Sequence, residues 1–161
     1  MLTDFHTHIF PDKMADKTIK LLESNIKEEY RPHKAELRGT LDALKQSMRE
    51  NNVDISLVLP IATNVKQSTT INNFAASING IDGIYSLGSL HPMQSDWESV
   101  LYDIKEKGLK GIKLHPEYQQ FYIDSKESIQ ILKKCEELDL ITVLHSGKDI
   151  GIDPPVHCTP E

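Results

Sequence analysis

The stretch Leu109-Lys110-Gly111-Ile112-Lys113-Leu114-His115-Pro116 decides how this chain folds. A short β-rich apolar run follows a glycine, carries one lysine in its middle and closes on His-Pro. Read outward, the same layout recurs. Ile84 to Leu90 closes on His91-Pro92, Leu140 to His145 closes on Ser146-Gly147, Leu2 to His8 ends on a histidine, and Val53 to Ile61 is a further apolar run. Between these runs the apolar spacing turns helical. Met14, Ile19, Leu22 and Ile26 share one helical face. Thr40 opens a second helix through Leu41, Leu44 and Met48 that stops at Asn51-Asn52, and a third spans Val65 to Asn79 with Gly80 as its stop. Ser95-Asp96-Trp97-Glu98 reads as a capping box for a helix to about Lys107, and Asp124 to Glu127 as a similar start for one reaching Leu138. The polar interval from Tyr30 to Gly39 reads as a loop, with His33 exposed in it.

Five strands alternating with helices predict βαβ units, a parallel sheet and right-handed crossovers. An open doubly wound sheet and a (β/α)₈ TIM barrel both fit that alternation. Two observations favour the barrel. Histidines gather where strands end, the face on which barrels build their sites. No Gly-rich phosphate loop follows the first strand, as a nucleotide-binding open sheet would often carry. The expectation is an α/β partial barrel of about five βα units, with residues 1–161 as one incomplete domain. A full barrel needs eight units and about 250 residues. The ending Thr159-Pro160-Glu161 reads as the start of a helix. A half barrel leaves strand edges unpaired, so the sequence is expected to continue or to pair with another chain, a second copy included.

Bulk properties narrow the function. Hydrophobic residues make up 39% and charged residues 26% of the 161, an ordinary globular balance. The net charge of −6 argues against a phosphate backbone as partner, so no nucleic acid is expected. No apolar run has the length of a membrane span. Met1 to His6 shows no basic segment leading into an apolar one, so no signal peptide is read and the cytoplasm is the expected compartment. Of the two cysteines, Cys135 lies on an apolar helical face as a small buried hydrophobe, and Cys158 is expected exposed in a loop.

Asp4-Phe5-His6-Thr7-His8 carries the strongest chemical signal. Side chains alternate along a strand, so His6 and His8 point the same way and can share one metal ion. The same parity puts Asp4 on the inner face. Applied elsewhere, it groups His145 with Val143, His115 with Lys113, and His91 with Ser89. Four strand ends then bring histidines to one mouth. A plainer reading competes at His91 and His115, where His-Pro simply fixes a strand exit, and His145 competes as a structural histidine. Lys113 inside a barrel needs a partner. An ion pair with a carboxylate such as Asp4, a hydrogen bond to an anionic substrate, and carbamylation into a metal-bridging ligand all stay open, the first two favoured.

At Asp4 to Pro11, Gly111 to Pro116 and Val143 to Gly147 the sequence resembles the amidohydrolase superfamily. It is closest to the amidohydrolase-related branch with the aminocarboxymuconate semialdehyde decarboxylase-like enzymes. The resemblance implies a TIM-barrel, metal-dependent hydrolase acting on a small-molecule substrate through a metal-activated water, with decarboxylation as the close alternative. A non-catalytic metal-binding fragment or assembly partner is the reading from another class. The resemblance implies a divalent ion, zinc first and manganese second, held by His6, His8 and His145. It also implies a histidine after a sixth strand and a catalytic aspartate after an eighth, both beyond Glu161. Lys113, His115 and His91 are the substrate-binding candidates.

Overall fold

Strands and helices alternate along the chain in the computed structural model, which describes residues 1–26 and 34–159. The expectation for His33 and the end of the Thr159-Pro160-Glu161 reading lie outside the described residues. The order is β1 (Thr3–Thr7), α1 (Asp12–Asn25), α2 (Leu41–Glu50), β2 (Ile55–Val58), α3 (Ser68–Ile78), β3 (Ile84–Ser86), α4 (Trp97–Glu106), β4 (Gly111–Leu114), α5 (Pro116–Gln119), α6 (Lys126–Glu137) and β5 (Ile141–Leu144). β1, β2 and β3 pair in parallel, as do β4 and β5. A parallel bridge between Gly88 and Ile112 joins the two groups, with Lys113 N donating to Gly88 O at 2.9 Å. The five strands therefore lie side by side in chain order, as a barrel requires.

Alternation along β4 sorts its side chains. Ile112 and Leu114 enter the main core with Leu101 and Ile104 of α4 and Ile131 and Cys135 of α6. Each such burial stabilises by about 1.5–3 kcal/mol. Lys113 and His115 consequently face the other side of the sheet. Gly111 permits close pairing with β5, because a Cβ there would stand 2.1 Å from Ile141 O. A second core packs Leu44 and Met48 of α2 against Val58 and Ile84.

Thr40 caps α2 as predicted, its Oγ1 accepting from Ala43 N at 3.2 Å. Ser125 caps α6 in the same way. The capping box at Ser95 does not form. Asp96 is the residue before α4, without a side-chain cap, because its carboxylate instead accepts from Gln94 Nε2 at 2.9 Å. The one-turn α5 has no counterpart in the sequence reading; Pro116 sets its first turn. Cys158 is buried rather than exposed, because its carbonyl accepts from Gly147 N at 2.8 Å and holds the segment against the loop after β5.

Candidate metal centre

The end of β1 brings two imidazoles together. His6 Nε2 and His8 Nε2 stand 3.1 Å apart. Nitrogens that share a tetrahedral Zn²⁺ at about 2.0–2.1 Å are separated by roughly 3.3 Å, so the pair already has ligand spacing. His8 Nδ1 lies 2.8 Å from Leu59 O, a carbonyl that can only accept. Nδ1 must therefore carry the proton, which leaves the Nε2 lone pair free. A carbonyl on the far nitrogen is how metal-binding histidines are commonly oriented.

One sequence expectation fails on this strand. Asp4 pairs in register with Ser56 and Thr7 with Val58, so β1 spends three steps where β2 spends two. The extra residue breaks the alternation between Asp4 and His6. Asp4 is exposed, and its carboxylate accepts from His6 N at 3.1 Å. No ion pair joins it to Lys113, whose Nζ is fully buried without a hydrogen-bond partner among the described residues.

His145 follows β5, its backbone N donating to Leu114 O at 3.0 Å. Its Nε2 is also buried and unpartnered. The ring stacks on His115 at a centroid distance of 3.9 Å, and His115 stacks on Tyr118 at 4.1 Å. His115, His145 and Asp149 form a compact group with ligand atoms within 4.8 Å of one another. Asp149 joins this group from the loop after β5, where nothing near Gly147-Lys148 marks it in the sequence.

Tautomers decide between the two histidine sets. His115 Nδ1 accepts from Tyr118 N at 3.3 Å and caps α5. In the neutral ring the proton then sits on Nε2, 3.7 Å from Asp149 Oδ2. To ligate through Nε2, His115 would have to become imidazolate or give up its cap. His8 faces neither cost. His6 and His8 thus offer two imidazoles at ligand spacing and His145 an unpartnered Nε2, while the group of three ligand atoms within 4.8 Å of one another among the described residues is His115, His145 and Asp149, in which His115 presents an N–H.

Electrostatics keep the lone pairs available. His6 and His8 retain exposed edges, yet partial burial, then the charges around them, lowers both rings, His8 to about 4. Lys113 and His145 act on both. His115 is pushed down to about 3 by burial, then by His145 and Lys113. Burial lowers Lys113 to about 8. At neutral pH these three rings are neutral and Lys113 still carries most of its charge.

Polar contacts brace the mouth. The amide of buried Gln119 donates to Ala62 O at 2.8 Å and Leu90 O at 2.7 Å and accepts from His115 N at 2.8 Å, tying together the exits of β2, β3 and β4. Glu117 accepts from His157 N and meets its Nδ1, both at 2.7 Å, fastening the segment after β5 to α5. His91 stands apart from the coupled group. Its Nδ1 accepts from Met93 N at 3.2 Å and its N donates to Gln94 at 3.0 Å, which is how a residue fixing a strand exit behaves. Tyr118 also lines an apolar groove of about 310 Å³ with Ile19, Leu22 and Ile150.

Solved structures share this arrangement of strands. An amidohydrolase II superposes with a TM-score of 0.69 at 18% identity over 96% of this chain and 53% of its own. A manganese-bound 5-carboxyvanillate decarboxylase from Novosphingobium aromaticivorans gives 0.66 at 14% identity, over 91% and 51%. A probable 2-pyrone-4,6-dicarboxylic acid hydrolase from Acinetobacter baumannii gives 0.54 at 14%, over 90% and 49%. The fold is a partial TIM barrel, shared with these structures. The chain spans about half the length of these amidohydrolase-fold structures. No protein-family model matches it, and no curated protein matches it by sequence. No helix among the described residues is long and apolar enough to cross a membrane.

Proposed function

We propose that the chain provides the metal-binding strands of a metal-dependent hydrolase of the amidohydrolase type, with His6, His8 and His145 holding a divalent cation. The observation that carries this is the 3.1 Å approach of two Nε2 atoms, one with its far nitrogen committed to a carbonyl. The buried, unpartnered Nε2 of His145 supports it. Zinc is the first choice for neutral imidazole donors; the manganese in one structural neighbour makes that ion the second. When bound, such an ion acidifies a water and polarises a carbonyl.

The chain's own residues would do the rest. The Leu59 carbonyl fixes the His8 tautomer and aims its lone pair. Gln119 keeps the exits of β2, β3 and β4 in one rim. Lys113 and His115 stand on the substrate side, and His91 shapes the rim. The substrate is a small organic molecule. No residue among these five strands is assigned as the general base, which the resemblance places after an eighth strand.

A decarboxylase is the second reading, supported by a fold neighbour named for that reaction. Metal titration tests the part common to both. The apo chain should take up Zn²⁺ or Mn²⁺ near one per chain, His8→Ala should lose it, and Asp149→Asn should keep it. Uptake that depends on Asp149 and ignores His8 would move the site to His115, His145 and Asp149. Release of CO₂ rather than water-dependent cleavage would then favour the lyase.

A further inference from the structure

Lys113 on β4 and His115 just after it each keep one polar atom without a hydrogen bond among the described residues. Lys113 Nζ is fully buried, on a residue 0% exposed, and makes no hydrogen bond among the described residues. A buried unpaired ammonium is costly, and proteins retain one where something else completes it. His115, two residues on, shares its face of the strand. Its Nδ1 is spent on the Tyr118 N–H, so its Nε2–H points outward from the cap. Asp149 Oδ2, at 3.7 Å, is too far to accept that proton, while Asp149 Oδ1 is occupied by Gly151 N at 2.7 Å. An ammonium and an imidazole N–H thus lie on the same face, each without a hydrogen bond among the described residues.

We propose that Lys113 Nζ and His115 Nε2–H form a receiving pair for a single carboxylate of the substrate, beside the histidines that hold the metal ion. This rests on the metal-dependent reading above. A monoanion suits the pair better than a phosphate dianion, which would meet one ammonium and the nearby Asp149 carboxylate. His115 here binds substrate and does not ligate metal. His115 contributes the N–H opposite its capping nitrogen, and Lys113 the ammonium.

Benzoate is the probe, titrated calorimetrically into the 161-residue chain with and without Zn²⁺. Lys113→Met preserves length and removes the charge. His115→Asn keeps an acceptor for the Tyr118 N–H and removes Nε2–H. Each should weaken benzoate at least about tenfold, as loss of a charge-assisted or buried hydrogen bond does, with zinc content unchanged. Nitrogen-15 spectra of the unmodified chain should show His115 protonated at Nε2, a readout that needs no variant. Benzoate affinity equal in Lys113→Met and the parent chain overturns the pair. So does a carbamate signal on Lys113 in ¹³C-bicarbonate, or a proton at His115 Nδ1. If the parent chain binds no zinc while its benzoate affinity still depends on Lys113, the metal reading fails and the pair stands. If zinc binds through His6 and His8 while benzoate ignores Lys113, the pair fails alone.

Discussion

β4 and β1 each place two chemical side chains two residues apart, one on the strand and one just past its end, yet the strands are held in opposite ways. Every residue of β4 is buried, and Ile112 and Leu114 anchor it among α4 and α6. β1 is largely exposed, with Phe5 at 71%. Its place is kept by polar contacts, Thr7 Oγ1 donating to Leu57 O at 2.9 Å and His8 Nδ1 meeting Leu59 O at 2.8 Å. β4 therefore takes its position from packing, and Lys113 and His115 inherit it. β1 takes its position from hydrogen bonds that also set the donor atoms of His6 and His8. The strand proposed to grip the ion is the one with the least apolar support.

The largest expected effect falls on β1. His6→Ala combined with His8→Ala should weaken zinc binding by more than about hundredfold, beyond the 10–100-fold typical of losing a group that only orients a ligand, and should cost the metal-free chain about 1 kcal/mol through loss of the His8–Leu59 contact. Calorimetry and metal analysis check it. Retained zinc would dissolve the assignment of β1 as the gripping strand.

Stability should divide the other way. Ile112→Ala should cost about 2–4 kcal/mol in urea unfolding, as a buried deletion beside Ile104 and Ile131 leaves a cavity. Phe5→Ala should cost no more than about 0.5 kcal/mol, since the ring is 71% exposed. Comparable costs would show that β1 is packed as β4 is.

The pH response separates the strands again. For the metal-free chain, Lys113 is lowered to about 8 in the fold, so between that value and its ordinary range the unfolded chain binds the extra proton. Stability should rise with pH across that window, by on the order of 2–3 kcal/mol, and Lys113→Met should abolish the rise. On the acid side, His8 and His115, lowered to about 4 and about 3, favour the fold while neutral. Stability should fall as pH drops from their ordinary range toward those values, a loss that Lys113→Met should reduce only in part, since burial is the larger cause. Unfolding midpoints from pH 4 to 10, at roughly unit intervals, test both limbs.

The same contrast explains how much was legible in the sequence. β4 and β5 read well because each is a short apolar run that follows a helix and closes on a histidine, and the parity of Lys113 with His115 follows from an unbroken register with β5. The parity of Asp4 failed because a register shift on β1 has no sequence mark; neither Phe5 nor its neighbours is a glycine. His6 and His8 still meet at 3.1 Å despite that shift. The Thr40 cap was legible because its hydroxyl takes the Ala43 N–H that the local pattern assigns to it. Ser95 was not, because Gln94 draws Asp96 into a side-chain bond instead. Asp149 and the grip of Glu117 on His157 depend on loops folding back over the strand ends, and local pattern holds no record of that.

The smallest effect is the sharpest probe of how β1 is held. Thr7→Val keeps the β-branched shape and removes only the hydroxyl that donates to Leu57 O at 2.9 Å. The Leu57 carbonyl loses one partner, so the cost should be about 1 kcal/mol, well below that of Ile112→Ala. Because Thr7 sits between His6 and His8, that modest cost should appear again as a severalfold weakening of zinc affinity, whereas Ile112→Ala should alter stability more and zinc less. If Thr7→Val changes stability without touching zinc, the hydrogen bond secures the strand but does not set the spacing of the two imidazoles. The 3.1 Å approach would then belong to the His8–Leu59 contact alone.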